Sequence, residues 1–232
     1  MILFVAMYES EEDLVNPANK LGRNALRFEE LSGQPCLVQR YREVNPEFMS
    51  HFPFTALLIS GFGQDFDSMD LPALYGLYDV LHATELPVLG LCGGHQLIAK
   101  AFSSDFRTVE KLEDEPMREL REGEPDFSPG YHPGWYKEIG MQPIRVLEPA
   151  DPLFAGLPET LFMLESHYCE VRALPPGFTL LATSDNCRVQ ALRHPTRTLY
   201  GTQFHPEAYT DYYTHGQQLL RNFFALRSAP EA

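Results

Sequence analysis

The residue with the clearest chemical potential is Cys92, which lies in the stretch Gly90-Leu-Cys-Gly-Gly-His-Gln96. A short apolar run, Val88 to Leu91, precedes it and is typical of a buried parallel strand. Apolar residues recur at helical spacing from Leu97 to Phe102, so we expect the backbone to turn sharply at the cysteine. A helix N-terminus stabilises the thiolate, which is the nucleophilic form of cysteine. The stretch therefore predicts a nucleophile on a strand-to-helix turn.

Glycines on both sides of the cysteine support this interpretation. Gly90, Gly93 and Gly94 are expected to supply the strained dihedral angles of the turn and to let a substrate approach the backbone closely. The alternative is that Cys92 is simply a small buried residue at the end of a strand, which is a common place for cysteine. The flanking glycines favour the chemical interpretation.

A second group of reactive residues lies far along the chain, in His205-Pro-Glu207. It follows an apolar segment, 199–204, which predicts the last core strand. Strand geometry would aim the imidazole and the carboxylate in the same direction. The alternative is that Pro206 and Glu207 begin a helix. A thiol nucleophile needs a base and a group that orients the base, and this pair could supply both.

Taken together, four stretches resemble segments of the class I (triad-type) glutamine amidotransferases. Gly90 to Gln96 matches the Gly-x-Cys-x-Gly-x-Gln nucleophile elbow of that family, and Gly201-Thr-Gln-Phe-His-Pro-Glu207 resembles its closing motif. Thr55 to Gly61 and Ser166 to Val171 also stand where the family has recognisable segments. The resemblance therefore extends through most of the chain.

The resemblance implies a catalytic triad of Cys92, His205 and Glu207. Cys92 would attack the side-chain amide of glutamine, release ammonia and leave a γ-glutamyl thioester, which water then hydrolyses. His205 would move the protons and Glu207 would orient its ring. Other cysteine hydrolases on related sheets place a histidine directly after the elbow cysteine, where this chain has Gly93, so the distant histidine favours the amidotransferase pattern.

The resemblance also implies an oxyanion hole and a substrate site. Backbone amides of Gly61, Phe62 and Gly93 are expected to hold the oxyanion, each donor contributing about 3 kcal/mol to the barrier. The family usually has Gly-Gly-Pro in this loop, where this chain has Gly61-Phe-Gly63. A backbone donor does not depend on its side chain, so Phe62 could still donate.

Three further residues are expected to bind the substrate through this resemblance. Gln96 would help to position it, and His167 and Tyr168 would hold the glutamine α-amino and carboxylate groups through backbone atoms. Gln203 is expected only to support its strand. The reaction needs no organic cofactor and no metal, and no phosphate-binding loop is visible.

Strands that alternate with helical patterns predict an α/β fold with a mostly parallel sheet and helices on both faces. Successive strand patterns near the C-terminal end add an antiparallel region, and the resemblance implies the flavodoxin-like fold of class I glutamine amidotransferases. We expect one domain over residues 1–232. Predicted strands cover 2–7, 36–41, 56–59, 88–91, 142–148, 161–164, 178–182, 188–192 and 199–204, and predicted helices cover 18–31, 71–85, 94–102 and 209–226.

Residues 103–140 form an acidic and aromatic excursion. Between Glu110 and Asp126 the chain carries eight acidic residues against three basic ones. The following stretch, 126–135, combines turn-forming residues with aromatic ones. This pattern fits a solvated excursion with a short helix, and it also fits a lid or partner-docking surface near the active site.

Composition limits the classes of partner. A net charge of −14 over 232 residues disfavours a nucleic-acid backbone or an anionic membrane surface as the main partner. No apolar run has the length of a membrane helix, and the N-terminal residues read as a strand rather than a signal peptide. The four cysteines are widely spaced. We therefore expect a cytoplasmic protein with no disulfide framework.

Three functions remain open from the sequence. The first is a glutaminase or amidotransferase whose ammonia serves a separate synthetase subunit. The second is a hydrolase of another γ-glutamyl amide or peptide, with its pocket reshaped by Phe62 and the aromatic loop 127–136. The third is a catalytically weak binding or regulatory module.

Overall fold

The computed structural model describes residues 1–226, and a single nine-stranded sheet runs through them. In chain order the strands are β1 (Ile2–Ala6), β2 (Cys36–Arg40), β3 (Ala56–Ile59), β4 (Val88–Leu91), β5 (Glu138–Val146), β6 (Thr160–His167), β7 (Thr179–Thr183), β8 (Ala191–Arg193) and β9 (Leu199–Thr202). Their order across the sheet is β2-β1-β3-β4-β9-β8-β7-β5-β6.

Six α-helices accompany these strands in the described part of the chain: α1 (Glu11–Val15), α2 (Leu21–Ser32), α3 (Pro46–Ser50), α4 (Tyr75–Ala83), α5 (Gly93–Ala101) and α6 (His215–Ala225). Two hydrophobic clusters cover the two faces of the sheet. In β1, odd and even residues alternate between them: Leu3 belongs to one cluster and Ile2 and Phe4 to the other. Burial on both faces explains why this strand is apolar throughout.

The parallel half of the sheet brings the reactive residues to one edge. Strand β4 lies between β3 and β9, and all three strands are parallel. Ser60, Cys92 and Gln203 follow the ends of β3, β4 and β9 closely in sequence. Ligands bind beyond the carboxyl ends of parallel strands in folds of this kind. The topology therefore places these three segments around one crevice.

The antiparallel half adds a further wall to this crevice. This half of the sheet has the order β9-β8-β7-β5-β6, and each strand in it is antiparallel to its neighbour. The long hairpin of β5 and β6 reaches back to the site, because the His205 amide donates to the Leu164 carbonyl at 2.9 Å. The α/β fold, the mostly parallel sheet and the antiparallel region predicted from the sequence are confirmed.

Several predicted element boundaries are wrong. The helix expected over 71–85 is a 3₁₀ turn, Leu71–Leu74, followed by α4. The helix expected over 209–226 starts only at His215, because the Thr210 hydroxyl accepts from the Tyr212 and Tyr213 amides and holds the preceding residues in a turn. The short helices α1 and α3 were not predicted, since five residues give too little periodicity to detect.

The acidic excursion is mostly exposed and is packed against the rest of the chain at a few positions. The short helix expected there is wrong, since residues 103–134 contain none after the end of α5. Phe106, Leu112 and Met117 are buried, and Pro116 forms an isolated bridge with Cys169. Side-chain burial thus anchors a segment whose backbone is irregular. Within residues 1–226, no helix combines the length and apolar character needed to cross a membrane.

Candidate active site

Cys92 occupies a strained backbone position between β4 and α5. Its φ and ψ are 50° and −106°, which lie outside the regions that side-chain-bearing residues normally adopt. The Cys92 amide donates to the Thr202 carbonyl on β9 at 2.8 Å, and the Gln96 amide donates to the Cys92 carbonyl at 3.1 Å. These bonds on both sides hold the strained conformation and place the thiol at the start of a nine-residue helix.

The neighbouring glycines are required for a different reason from the one expected. Gly90, Gly93 and Gly94 all have negative φ, so the strain is carried by the cysteine itself. A Cβ on Gly90 would lie 2.5 Å from the Gly94 carbonyl oxygen, and one on Gly94 would lie 2.5 Å from the Ile59 carbonyl oxygen. The glycines allow β3, β4 and α5 to approach closely, which brings the elbow to the loop after β3.

His205 and Glu207 form a tight pair beside the thiol. His205 Nδ1 and Glu207 Oε1 are 2.7 Å apart, and the Glu207 carboxylate is largely buried. Burial of the imidazole opposes its charge, but Glu207 and the hydrogen-bonded Cys92 side chain together raise the pKa of His205 well above its ordinary value. The structure thus brings the three predicted triad residues together with the imidazole in the middle.

The pair is held by a turn rather than by strand geometry. Residues Pro206–Ala208 form a 3₁₀ turn directly after His205, so the expectation that a continuing strand aims both side chains is wrong. Arg27 of α2 donates to the backbone carbonyls of Glu207 and Tyr209 and lies 4.2 Å over the Tyr209 ring. Arg27 was missed because nothing in its local sequence connects α2 with the turn at Glu207.

The predicted oxyanion donors surround the thiol. Among the described residues, the backbone N–H groups of Gly61, Phe62 and Gly93 have no hydrogen-bond partner. A Cβ on Gly61 would lie 3.2 Å from Cys92 Cβ and 3.1 Å from His205 Cε1, so this loop touches both side chains. The Phe62 ring lies against Gly93, where a Cβ would be only 2.4 Å from it. Phe62 therefore covers the elbow with its side chain.

Two glutamines form a chain of hydrogen bonds that ends on the nucleophile. Gln96 Nε2 donates to the Cys169 carbonyl at 2.8 Å and to Gln203 Oε1 at 3.0 Å. Gln203 Nε2 in turn lies 3.5 Å from Cys92 Sγ. From the sequence we expected Gln203 only to support its strand, whereas its fully buried amide contacts the sulfur. Both amide hydrogens of Gln96 are engaged with the protein, so its side chain holds Gln203 in place.

The side chain of His167 belongs to a buried ionic cluster. Its Nδ1 faces the Cys169 carbonyl at 2.8 Å, and its Nε2 lies 3.1 Å from carboxylate oxygens of both Glu138 and Glu165. Both ring nitrogens thus face acceptors, as suits an imidazolium. Burial disfavours this charge, but Glu165 and Glu138 outweigh it and raise the pKa of His167 to about 10. The side chain of His167 is therefore engaged within the protein through both ring nitrogens.

The aromatic part of the excursion contacts the site. Tyr168 donates to Asp65 Oδ1 at 2.8 Å, and its ring stacks on His132 at 3.8 Å. Tyr131 packs edge-on against Tyr168 at 5.2 Å. His132 Nε2 also lies 3.0 Å from Asp65. The excursion is thereby tied to the loop after β3, and Asp65 is a site residue that the sequence did not single out.

Two cavities meet at the thiol. The larger one, about 500 Å³, reaches from Cys92 and His205 to the first turn of α2. The smaller one lies along Gly93, Gln96 and residues 166–169. Both include Phe62 and Tyr131 in their walls. A nucleophile at the junction of two cavities can contact both halves of a substrate that is cleaved there.

Two clusters could offer ligand atoms to a metal. One is Glu138, His167 and Cys187, and the other is Asp65, Asp67 and Asp114. In the first, Glu138 already accepts hydrogen bonds from Ser184 and Gln190 in addition to its contact with His167. Neither cluster includes Cys92, His205 or Glu207.

Comparison with known proteins assigns the family. The family model described as glutamine amidotransferase class-I matches residues 36–226, so the chain belongs to the class-I glutamine amidotransferases. A subunit of the glutamine-hydrolyzing GMP synthase of Pyrococcus abyssi is 39% identical over 142 residues, which are 61% of this chain and 60% of that protein. The subunit of the same name from Archaeoglobus fulgidus is 34% identical over 169 residues, which are 73% of this chain and 74% of that one.

Solved structures share the fold at low identity. A putative GMP synthase subunit from Thermoplasma acidophilum gives a TM-score of 0.68 at 23% identity, covering 97% of this chain and 92% of that one. The glutaminase domain of Trypanosoma brucei CTPS with bound acivicin gives 0.66 at 13% identity, with the same coverage of both chains. These likenesses establish the fold, and the matching family model establishes the family.

Proposed function

We propose that this protein hydrolyses the side-chain amide of glutamine through a thioester on Cys92 and releases ammonia. The observation that carries the proposal is the pairing of His205 with Glu207 at 2.7 Å, next to a thiol on a strained elbow. Membership of the class-I glutamine amidotransferases supports glutamine as the substrate.

The proposed chemistry follows from the positions of these groups. The Cys92 sulfur attacks the amide carbon, and the oxyanion accepts hydrogen bonds from Gly93 and the loop at Gly61 and Phe62. His205 transfers a proton to the nitrogen, so that the C–N bond breaks and ammonia leaves. Water then attacks the thioester with His205 as the base. Glutamate is released and the thiol is restored.

The buried glutamines have a supporting role in this scheme. Gln203 donates its amide hydrogen towards sulfur, and Gln96 fixes the orientation of the Gln203 side chain. The contact of Gln203 with the sulfur helps to fix the position of the nucleophile. The two residues therefore act as positioning residues, and contact of backbone atoms of His167 and Tyr168 with the α-amino and carboxylate groups is part of the same proposal.

A separate subunit is the proposed consumer of the ammonia. The curated relatives are each named as one subunit of a glutamine-hydrolyzing GMP synthase, a name that implies at least one further subunit. The matched segment spans 60% of the Pyrococcus abyssi protein, so the likeness does not extend over its full length. We propose that this chain likewise delivers ammonia to a synthetase partner.

The test is release of glutamate and ammonia from glutamine by the purified protein. We expect equal amounts of the two products, and no release by the Cys92→Ala variant. Cys36→Ala is the matched control, because Cys36 lies on the edge strand β2 and should leave the rate unchanged. Glutamine hydrolysis by Cys92→Ala at the wild-type rate would refute the proposal.

A further inference from the structure

The cavity on the His205 side of the thiol is much larger than ammonia requires. Its volume is about 500 Å³, whereas a water molecule, similar in size to ammonia, occupies about 30 Å³ in the liquid. Cavities of several hundred cubic ångströms are typical of sites for small organic ligands. The volume therefore has room for a leaving group larger than ammonia.

The geometry places a leaving group in this cavity. His205 gives its proton to the departing nitrogen, so the leaving group lies on the side of His205. That residue lines the larger cavity, whereas Gly93 and Gln96 line the smaller one. The acyl part of a substrate and its leaving group would thus occupy opposite sides of Cys92.

The far wall of the larger cavity carries positive charge in a protein whose net charge is −14. Lys20 and Arg23, at the start of α2, line the cavity, and neither has a carboxylate partner among the described residues. Helix α2 has twelve residues, no acidic residue in its first turn and no side-chain cap. Its positive dipole end is therefore unneutralised, as in many anion sites.

A buried asparagine adds an independent indication of a ligand. Asn24 lines the same cavity and is only 8% exposed. Its side-chain amide makes no hydrogen bond with any other residue in the described part of the chain. The amide atoms of this otherwise buried side chain remain accessible from the cavity, so a group that enters the cavity can bond to them. A carboxylate would accept from Asn24 and from the two cations.

We propose that this wall binds a carboxylate on the leaving amine, so that the protein also hydrolyses γ-glutamyl amino acids; this rests on the proposed thioester chemistry. A bond forms between Cys92 sulfur and the γ-carbon while the C–N bond breaks. The nitrogen takes the proton from His205 and the amino acid leaves. Water then cleaves the thioester, so that one dipeptide and one water give glutamate and one amino acid.

Binding to the inactive Cys92→Ala protein tests the carboxylate site directly. Calorimetry compares γ-glutamylglycine with γ-glutamylglycinamide, which differ only in the terminal carboxylate. We expect the carboxylate form to bind about tenfold more tightly, since a charge-assisted hydrogen bond supplies that much. Adding Arg23→Gln should reduce the ratio, whereas Arg188→Gln, another exposed cation but outside the cavity wall, should leave it unchanged. Equal affinities for the two ligands would overturn the inference.

Turnover separates this inference from the proposed function. Wild-type protein is given glutamine, γ-glutamylglycine and γ-glutamylglycinamide, and glutamate is measured. Hydrolysis of glutamine together with equal binding of the two dipeptides overturns the carboxylate site alone. Selective binding of γ-glutamylglycine without turnover of any of the three overturns the thioester chemistry and retains the site. Preference for the carboxylate form in both binding and turnover supports the carboxylate site and the thioester chemistry together.

Discussion

At the scale of single residues, the site depends on a conformation that cysteine seldom adopts. A non-glycine residue in a sparsely populated region costs about 1–3 kcal/mol, and bonds to Thr202 and from Gln96 hold Cys92 there. The sulfur is thereby exposed to two cavities and to the His205 ring. The strain is concentrated on the residue that carries the proposed chemistry.

The hydrogen bond from His205 to Glu207 predicts a large effect of Glu207→Gln. This change removes the charge that raises the pKa of His205, and an amide can also favour the wrong tautomer of the ring. We expect kcat for glutamine to fall by roughly 10²- to 10⁴-fold with the fold retained. Steady-state kinetics and circular dichroism measure the two effects. Glu148→Gln, at an exposed site, is the control, and a kcat within twofold of wild type for Glu207→Gln would contradict the role.

The cluster around His167 predicts an unusual titration. Its pKa is raised to about 10, so the ring should remain protonated at pH 8, whereas burial lowers the pKa of His95 to about 3 and keeps that ring neutral. Nuclear magnetic resonance of labelled histidines distinguishes the two states. Glu138→Gln should lower the pKa of His167. A neutral His167 ring at pH 8 in the wild type would contradict the assignment.

The same shift sets the sign of a contribution to stability. The folded-state pKa of His167 lies above the unfolded value of about 6.5, so the folded protein holds the proton more tightly. The stabilisation of the folded protein by the His167 proton is therefore complete below about pH 6.5. It is lost as the pH rises towards about 10.

At the scale of elements, close packing between helices and strands fixes the site. Gly94 lets α5 lie against β3, and Gly216 lets α6 lie against the turn that carries Glu207. These contacts join elements that are far apart in sequence. Side chains at such positions would separate the elements by displacing backbone atoms, which cannot move aside as a flexible side chain can.

Two glycines at equivalent helix positions give a matched test of this packing. Gly22 and Gly216 are the second residues of α2 and α6. A Cβ on Gly216 would lie 2.2 Å from the Pro206 carbonyl oxygen, whereas one on Gly22 would meet nothing within 4 Å. We expect Gly216→Ala to lower the free energy of unfolding by about 1–3 kcal/mol and to reduce kcat.

Gly22→Ala should instead be neutral or stabilise by up to about 1 kcal/mol, because alanine is the better helix former. Urea denaturation measures both variants. If the two alanine variants changed the free energy of unfolding equally, close packing at Gly216 would not be what holds α6 against the turn that carries Glu207.

Much of this fold was predictable because its signals are local. Short apolar runs located β3 and β4 to the residue and β1 closely, since strands buried on both faces are apolar throughout. Strand β2 was also located closely, although it is only partly buried. The start of α6 was misplaced because hydrogen bonds to the Thr210 hydroxyl hold residues 210–213 in a turn. In the excursion, burial depends on contacts with distant residues, such as Pro116 with Cys169. The local periodicity of the sequence does not indicate such contacts.

The candidate site likewise contains residues that local sequence predicts and residues that only the fold brings into place. Cys92, His205 and Glu207 were predicted because each lies in a motif with characteristic spacing. Arg27 supports the turn at Glu207 across 180 residues of sequence, and Asp65 binds Tyr168 across 103. Residue type at such positions says little until the fold brings the partners together. Supporting residues were therefore missed, whereas the residues proposed to react lie in local motifs.

At the scale of the whole molecule, one parallel half-sheet and one antiparallel half-sheet meet at the site. The parallel strands β3, β4 and β9 bring the oxyanion loop, the thiol and the closing motif to one edge, and β6 supplies Ser166 and His167 from the other half. The Ser166 carbonyl lies 4.0 Å from Cys92 Sγ. The proposed reaction thus needs both halves in register.

The measurement that tests the central claim most directly is detection of the γ-glutamyl thioester. Wild-type protein is mixed with glutamine and quenched in acid during turnover, and its peptides are analysed by mass spectrometry. We predict one glutamyl group on the peptide containing Cys92, absent in Cys92→Ser, with Cys36, Cys169 and Cys187 unmodified. Glutamate formation with no adduct, and at the same rate in Cys92→Ser, would contradict the account.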